Sequence, residues 1–444
     1  MATRPPTLDE LRIKFEDYQI RRVKLGATDI DGVLRGKYIS VEKFFAAAQD
    51  SLGFCDVIFG WDIADVLYDN AAVTGWHTGY PDAKASIDLS TFRLIPWEPG
   101  TAFFLLDIAL PMSPRRVFSK MVAKAAERGY KAWFAAEYEF WIFRETAESL
   151  RQKAFHNLTP LSPGMFGYSI LRASQNQQLV LDLMEQMNGF NVPLEGFHTE
   201  TGPGVYEAAI AVDLGLPAAD KAALFKTAAK EICARHQCTP TFMAKWKADM
   251  PGSSGHIHQS LWTDVNVFDG GDGAMSTQMR HYTAGLVEHL PEVMAIVCPT
   301  VNSYKRTVPG AWAPVNASWG VDNRTAAVRA IPGGAKSARV ELRLSGADIN
   351  PYLAMAASLA CGLEGIERGT EPPEPAVNAY EAAGAKSLPR NLTEATRLLN
   401  GSEFARKWFG DEFVDHYCDT REWEVRQCEK EVTSWELLRY FESV

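Results

Sequence analysis

The chain has no CxxC pair: its seven cysteines, Cys55, Cys233, Cys238, Cys298, Cys361, Cys418 and Cys428, are odd in number and scattered. This argues against a disulfide framework and reads as reduced intracellular thiols. No uninterrupted apolar run is long enough to span a bilayer, and the opening MATRPPTLDELRIKF lacks the apolar core of a signal peptide, so a cytoplasmic protein with no membrane partner is expected. Positive charge is in deficit, 45 Lys and Arg against 55 Asp and Glu for a net charge of −10, which leaves little for nucleic acid to bind. Repeats and low-complexity tracts are absent. So are a GxxxxGK[ST] loop and an HRD/DFG set, and any nucleotide must be held by another fold.

With 444 residues, 46% apolar and 23% charged, the chain is an ordinary globular protein expected to form two domains. Residues 7–20 read as an amphipathic helix, and Arg22 to Ile39 as a β-hairpin turning at Asp31-Gly32. Strand-like text follows at Ala85–Phe92 and Ala102–Ile108, and Pro111-Met112-Ser113-Pro114 punctuates the chain, which places a domain boundary there. Beyond it come a helix from Arg115 to Arg128, a strand from Trp133 to Phe143, and a loop rich in Pro, Gly and Ser near 157–168. Helical periodicity marks 175–188, 217–236, 276–298, 350–367 and most of 393–442. The architecture is α+β.

Three segments alternate ionic and apolar side chains: Glu137-Tyr138-Glu139, His256-Ile257-His258 and Arg339-Val340-Glu341-Leu342-Arg343. A strand sends successive side chains to opposite faces, so each segment aims its ionic groups into one cavity. Two carboxylates inside WFAAEYEFWIF would cost several kcal/mol without a compensating cation. With Glu200, Glu207 and Glu341 added to Glu137, Glu139 and His256, the oxygen-rich set favours Mg²⁺ or Mn²⁺ over Zn²⁺. Between Lys305 and Arg343 lie Arg306, Arg324, Arg329 and Arg339, with Lys336 after the Pro332-Gly333-Gly334 stretch. Guanidinium groups clustered beside divalent metals are what phosphoryl transfer requires.

At this point the residues resemble a known family. NSYKRTVPG (302–310), NRTAAVR (323–329), ARVELRLSGADINPYLAMAASLACGLEGI (338–366), SGHIHQSL (254–261) and AAEYEF (135–140) are similar to the blocks of class I glutamine synthetases, in the same order. The resemblance implies a small N-terminal β-grasp domain over residues 1–110. It also implies a catalytic domain over 111–444, with an antiparallel sheet and surrounding helices. Active sites would be shared between subunits of a homo-oligomer, a dodecamer of two hexameric rings. By position, Glu139, Glu200 and Glu207 would hold one Mg²⁺ or Mn²⁺, and Glu137, His256 and Glu341 the other. Arg306 and Arg343 would grip the α-carboxylate of L-glutamate, with Glu139 and Gly252 beside it. Arg324 and Arg329 would bind the transferring phosphate, while His258, Ser260, Arg329, Lys336 and Arg339 would face ATP.

Departures from the family concern the second substrate. The flap here reads Val308-Pro309-Gly310-Ala311-Trp312-Ala313-Pro314, so Trp312 stands where ammonia-using members carry a glutamate that deprotonates ammonium. That removes a base and an attraction for a small cation, and offers an indole face instead. Val205, Pro251 and Gly255 replace the family's usual Gln, Asn and Met. Asp56 has only a loose match to the ammonium-site aspartate. Trp76 to Tyr80 reads as a surface loop, and the neighbours of Tyr380 do not match a site of AMP attachment. The expectation is an ATP-dependent ligase joining glutamate to a small organic monoamine, alkyl or aromatic. Glutamine synthetase proper is one alternative, with Asp56 as base, and a non-catalytic glutamate or nucleotide sensor is the other.

Overall fold

The computed structural model describes residues 4–382 and 384–444. The first hundred residues build a five-stranded sheet from β1 (Arg22–Thr28), β2 (Leu34–Ser40), β3 (Leu52–Cys55), β4 (Asp82–Leu94) and β5 (Thr101–Ile108), in the order β2-β1-β5-β4-β3. β1 pairs parallel with β5 and antiparallel with β2. The hairpin joining β1 and β2 turns where expected, Gly32 taking a positive φ of 83° that glycine adopts without steric cost. Helices Leu8–Asp17 and Val41–Ala47 cover one face, where Phe15 and Phe44 stack at 5.3 Å and Phe44 and Phe104 at 4.6 Å. The helix expected at residues 7–20 is shorter, because Thr7 caps it and Gln19 turns to φ 51°.

The remainder is organised by a nine-stranded sheet. Its strands are β6 (Lys131–Phe143), β7 (Leu194–Thr199), β8 (Val205–Ile210), β9 (Asp213–Leu214), β10 (Thr239–Thr241) and β11 (Gly255–Trp262). A minor β12 (Asn316–Ala317) precedes β13 (Trp319–Val321), β14 (Val328–Ile331) and β15 (Arg339–Leu342), and β12 pairs with β16 (Lys386–Ser387). The large sheet runs β13-β14-β15-β11-β6-β8-β7, with β9 and β10 also on β6. Apart from the parallel β13–β14 pair, its ladders are antiparallel.

One face of this sheet lies on helices. Tyr138 on β6 stacks on Phe225 of helix Leu216–Arg235, and Gln259 on β11 receives the Tyr282 hydroxyl and donates to Ser358, each at 2.6 Å. Those last two residues belong to helices Thr277–Val297 and Pro351–Arg368. The two helices approach so closely that a Cβ on Gly285 would lie 2.1 Å from the Cys361 carbonyl oxygen, a distance only glycine permits. The opposite face of the sheet is left to the ionic side chains.

The C-terminal stretch expected to be largely helical is four helices, Leu392–Asn400, Glu403–Phe409, Asp411–Lys430 and Ser434–Tyr440, with Gly401 and Gly410 at two of the breaks. The α+β expectation holds. Buried residues from both sheets form one contiguous apolar cluster. Buried ion pairs also cross between the two regions: Arg115 joins Asp88 to Asp220, and Arg421 joins Asp31. Among the described residues no helix is long and apolar enough to cross a membrane, and all seven cysteines are free.

Candidate active site

β6 is the spine of the site. From Trp133 to Phe140 its burial alternates, with Phe134, Ala136, Tyr138 and Phe140 buried and Glu137 and Glu139 facing the other way. Opposite residues in an antiparallel ladder share a face, so the register determines which charges meet. Glu137 lies across from His256, Glu139 from Glu207, and Glu207 from His198. His258 lies across from Glu341, and Glu341 from Arg329. Six strands thereby deliver carboxylates, imidazoles and guanidiniums to one side of a cavity of about 740 Å³.

Two groups within this cavity are spaced to hold cations: Glu137, His256 and Glu341, and His198, Glu200 and Glu207. In the first, His256 Nδ1 is 3.0 Å from Glu137 and 3.5 Å from Glu341, while His256 Nε2 is buried without a hydrogen-bond partner. Glu341 is 1% exposed and accepts from Arg329 at 2.9 Å and Arg343 at 2.5 Å. Burial pushes its carboxyl up, but His256, His258, Arg343 and Arg329 together bring it down to about 2. Glu137 is likewise held below the usual range, burial being outweighed by His256 and His258.

The second group is short of positive charge. Burial raises Glu139, and the neighbouring Glu200 adds repulsion. Burial raises Glu207 too, and Glu137 and Glu139 repel it. The Glu207 hydrogen bond at 3.0 Å is the main reason that His198 is pushed up to about 9. Crowded carboxylates that resist ionisation and an orphaned imidazole nitrogen match the donor set of hard divalent cations. Glu139, expected in this second group, is adjacent to it: its carboxylate receives the Ser254 amide at 2.6 Å.

Arg306 is buried and extends its fork to the carbonyls of Leu344 at 2.9 Å and Arg343 at 3.0 Å and to the Ser254 hydroxyl at 3.1 Å. Gly252 lies against it: a Cβ there would meet the Arg306 side chain at 2.7 Å. Arg343 reaches Glu341 and the Arg324 carbonyl, and Arg339 donates to His258 at 3.3 Å. Arg324 and Trp312 also line the cavity, the latter 68% exposed.

Three of the residues singled out from sequence are not in the cavity wall. Ser260 lies further along β11 and its hydroxyl receives the Trp262 indole at 2.9 Å; Lys336 is exposed in the turn between β14 and β15. Asp56 is buried in the short 3₁₀ turn Asp56–Phe59 of the N-terminal region, with one carboxylate oxygen unpartnered. The nearby Trp76–Tyr80 stretch is a loop with Trp76 79% exposed.

Sequence reasoning missed Tyr168 and His198. Tyr168, at a positive φ of 55°, stacks on His198 with ring centroids 4.4 Å apart and lines the cavity. His198 was legible in principle, since it alternates with Glu200 as His256 does with His258. Tyr168 sits in the loop between two helices, where no periodicity points to it.

Comparison with known proteins points to one family. The family model for the glutamine synthetase catalytic domain matches residues 111–440. A type-1 glutamine synthetase 2 of Dictyostelium discoideum is 47% identical over 95% of this chain and 84% of its own length. A glutamate–isopropylamine ligase of a Pseudomonas species is 41% identical over 98% of each chain. A solved structure described as a GmaS/ADP complex superposes with a TM-score of 0.84 and 26% identity, covering 97% of this chain and 99% of the other. With its fold, the order of its site residues and these matches in agreement, the chain belongs to the glutamine synthetase family.

Proposed function

We propose that the protein is an ATP-dependent ligase that joins L-glutamate to an organic monoamine, alkyl or aromatic, through γ-glutamyl phosphate. The observation that carries the acceptor class is the distribution of negative charge. The carboxylates lining the cavity are Glu137, Glu139, Glu200, Glu207 and Glu341, all at the strand-borne cation groups, while the flap contributes Ala311 and Trp312. At the flap the acceptor therefore meets an indole, which favours an organic group over ammonium. The naming of the Pseudomonas relative supports the same class.

In this reading Glu137, His256 and Glu341 hold one Mg²⁺ or Mn²⁺, and Glu139, Glu200 and Glu207, with His198 beside them, hold another. When bound, such ions neutralise the polyphosphate and the charge that develops on the transferring group. Arg306 and Arg343 orient the glutamate α-carboxylate, next to Gly252. His258 and Arg339 face ATP. Arg324 and Arg329 meet the equatorial oxygens of the γ-phosphate as a γ-carboxylate oxygen of glutamate attacks phosphorus and ADP leaves. The amine lone pair then attacks the acyl carbon, the nitrogen gives up a proton, and inorganic phosphate departs with the former carboxylate oxygen. An aromatic amine is neutral at pH 7 and enters this step without a base.

The reading includes a catalytic domain from residue 111 and a β-grasp domain over 1–110 in a dodecamer of two hexameric rings. There Asp56 and the Trp76 loop would reach a neighbouring subunit's cavity. Ammonia as acceptor is the second reading, favoured by the naming of the Dictyostelium relative. The test is glutamate- and ATP-dependent phosphate release with ammonia, isopropylamine, ethanolamine, aniline and putrescine. An organic monoamine should exceed ammonia in kcat/KM, and ammonia in first place would overturn the acceptor assignment.

A further inference from the structure

The end of the cavity read as the L-glutamate site is assembled from three stretches of chain. Gly252 comes from the loop ahead of β11, Arg306 follows the short 3₁₀ turn Ser303–Lys305, and Arg343 lies just past β15. Arg306 directs three of its N–H groups to the Leu344 and Arg343 carbonyls and the Ser254 hydroxyl, which leaves the rest of the guanidinium fork for a ligand. Where those remaining donors point depends on the anchored tip of the side chain and on the turn at its base. That turn is not part of the sheet, so no ladder fixes it.

Two side chains outside the cavity wall hold it. Asn302 pairs its amide with the Lys245 main chain, accepting from the N–H at 2.8 Å and donating to the carbonyl at 2.7 Å. Lys245 donates through Nζ to the Met250 carbonyl, and the Ser253 amide returns to the Ala244 carbonyl at 2.9 Å. The loop that carries Gly252 is thus closed on itself at the residue that Asn302 grips. Asp348 acts from the other side, one carboxylate oxygen accepting the Ser303 hydroxyl at 2.6 Å and the Thr300 hydroxyl at 2.9 Å. Gly346 leaves the carboxylate its room, since a Cβ there would lie 2.5 Å from the other oxygen. Ser303 is buried, and a charge-assisted bond gains strength away from water. Asp348 closely follows Arg343 and Leu344, whose carbonyls receive the Arg306 fork. The base and the tip of that side chain are therefore tied to one piece of chain.

We propose that Asn302 and Asp348 are positioning residues for the L-glutamate site: Asp348 fixes the base of Arg306, and Asn302 locks the Gly252 loop to the same turn, neither of them touching substrate. The proposal rests on the reading of Arg306 and Gly252 as glutamate-binding residues.

The test is steady-state kinetics on the full-length enzyme, with the KM of glutamate, of ATP and of the amine turned over fastest measured separately. Asp348→Ala, Asp348→Asn, Ser303→Ala, Asn302→Ala and Arg306→Ala are compared with the parent, with circular dichroism and thermal melting as folding controls. Asp348→Ala and Asn302→Ala should each raise the glutamate KM about tenfold and leave the other two within about twofold, the loss expected when hydrogen bonds that orient a binding group are removed. Asp348→Asn, which keeps an oxygen facing both hydroxyls, should stay within about threefold of the parent, and Ser303→Ala should raise the glutamate KM by about that factor. In the Arg306→Ala background Asp348→Ala should add nothing, because it acts through that arginine. If Arg306→Ala raises the glutamate KM while Asp348→Ala and Asn302→Ala leave it unchanged, the positioning role is wrong and the site reading stands. If Arg306→Ala leaves it unchanged, the site reading fails and the proposal with it. Equal rises in all three KM values, or a further rise on adding Asp348→Ala to Arg306→Ala, would make these residues general supports of the fold and overturn the proposal. Where Asp348→Ala does not fold, Ser303→Ala decides: a glutamate KM at the parent value overturns the role of Asp348.

Discussion

Replacing Glu341 by glutamine keeps the side chain's shape and removes the charge that two guanidinium groups and an imidazole surround. Glu341 is 1% exposed, bonded to Arg329 at 2.9 Å and Arg343 at 2.5 Å, and lies 3.5 Å from His256. Folding carries its carboxyl from an ordinary 4.5 down to about 2. At about 1.4 kcal/mol per decade of proton affinity, that is about 3 kcal/mol of stability. Removing one partner of a buried ion pair costs about the same, roughly 3–5 kcal/mol. The sign follows from the folded state holding the proton more weakly than the unfolded chain. The contribution is complete above the unfolded value, falls as the pH drops from about 5 and is lost through about 2. Urea unfolding of chelator-treated parent and Glu341→Gln at matched concentration should differ by about 3 kcal/mol at pH 7 and by about half that near pH 3. A gap under about 1 kcal/mol at neutral pH, or one that widens with acid, would refute the assignment of Glu341 as the counter-charge to Arg329 and Arg343.

Further outcomes follow from the same geometry. Glu341→Ala should abolish phosphate release with every amine, and substantial residual turnover would remove Glu341 from the metal group. Gly252→Ala places a Cβ 2.7 Å from the Arg306 side chain; glutamate KM should rise about tenfold or more while ATP KM holds, since hydrogen bonds to charged groups are worth about 1.5–3 kcal/mol. Trp312→Glu should move kcat/KM toward ammonia, and an unchanged amine profile would mean that the flap does not border the acceptor. Adding Mg²⁺ to chelator-treated protein should raise its melting temperature, because Glu139 is relieved of repulsion by Glu200, and Glu207 of repulsion by Glu137 and Glu139; no shift would argue against a cation at that group.

Much of this site was legible because a sheet converts sequence alternation into a cavity face. Trp133 to Phe143 reads as a strand with Glu137 and Glu139 on one side, and β6 spans Lys131–Phe143 with that alternation. Arginines too far apart in the chain for periodicity to relate them, Arg306, Arg324, Arg329 and Arg343, lie in one cavity. Their clustering beside the candidate metal ligands suggested that grouping, and the order of the family's motifs assigned each its role. Residues whose place depends on loop geometry escaped. Tyr168 reaches the cavity from a positive-φ position between short helices, and Ser260 and Lys336 sit outside the wall although His258 and Arg339, on the same stretches of chain, line it. The C-terminal periodicity was real but continuous across Gly401 and Gly410, where the chain breaks into separate helices.

The most direct test of the proposed reaction gives the enzyme L-glutamate labelled with oxygen-18 in the γ-carboxylate, ATP, and equimolar ammonium and isopropylamine, with mass spectrometry of both the amide and the released phosphate. The account predicts γ-glutamylisopropylamide in excess over glutamine, and one labelled oxygen in the phosphate. Unlabelled phosphate would contradict the acyl-phosphate route, and glutamine as the main product would contradict the organic amine as acceptor.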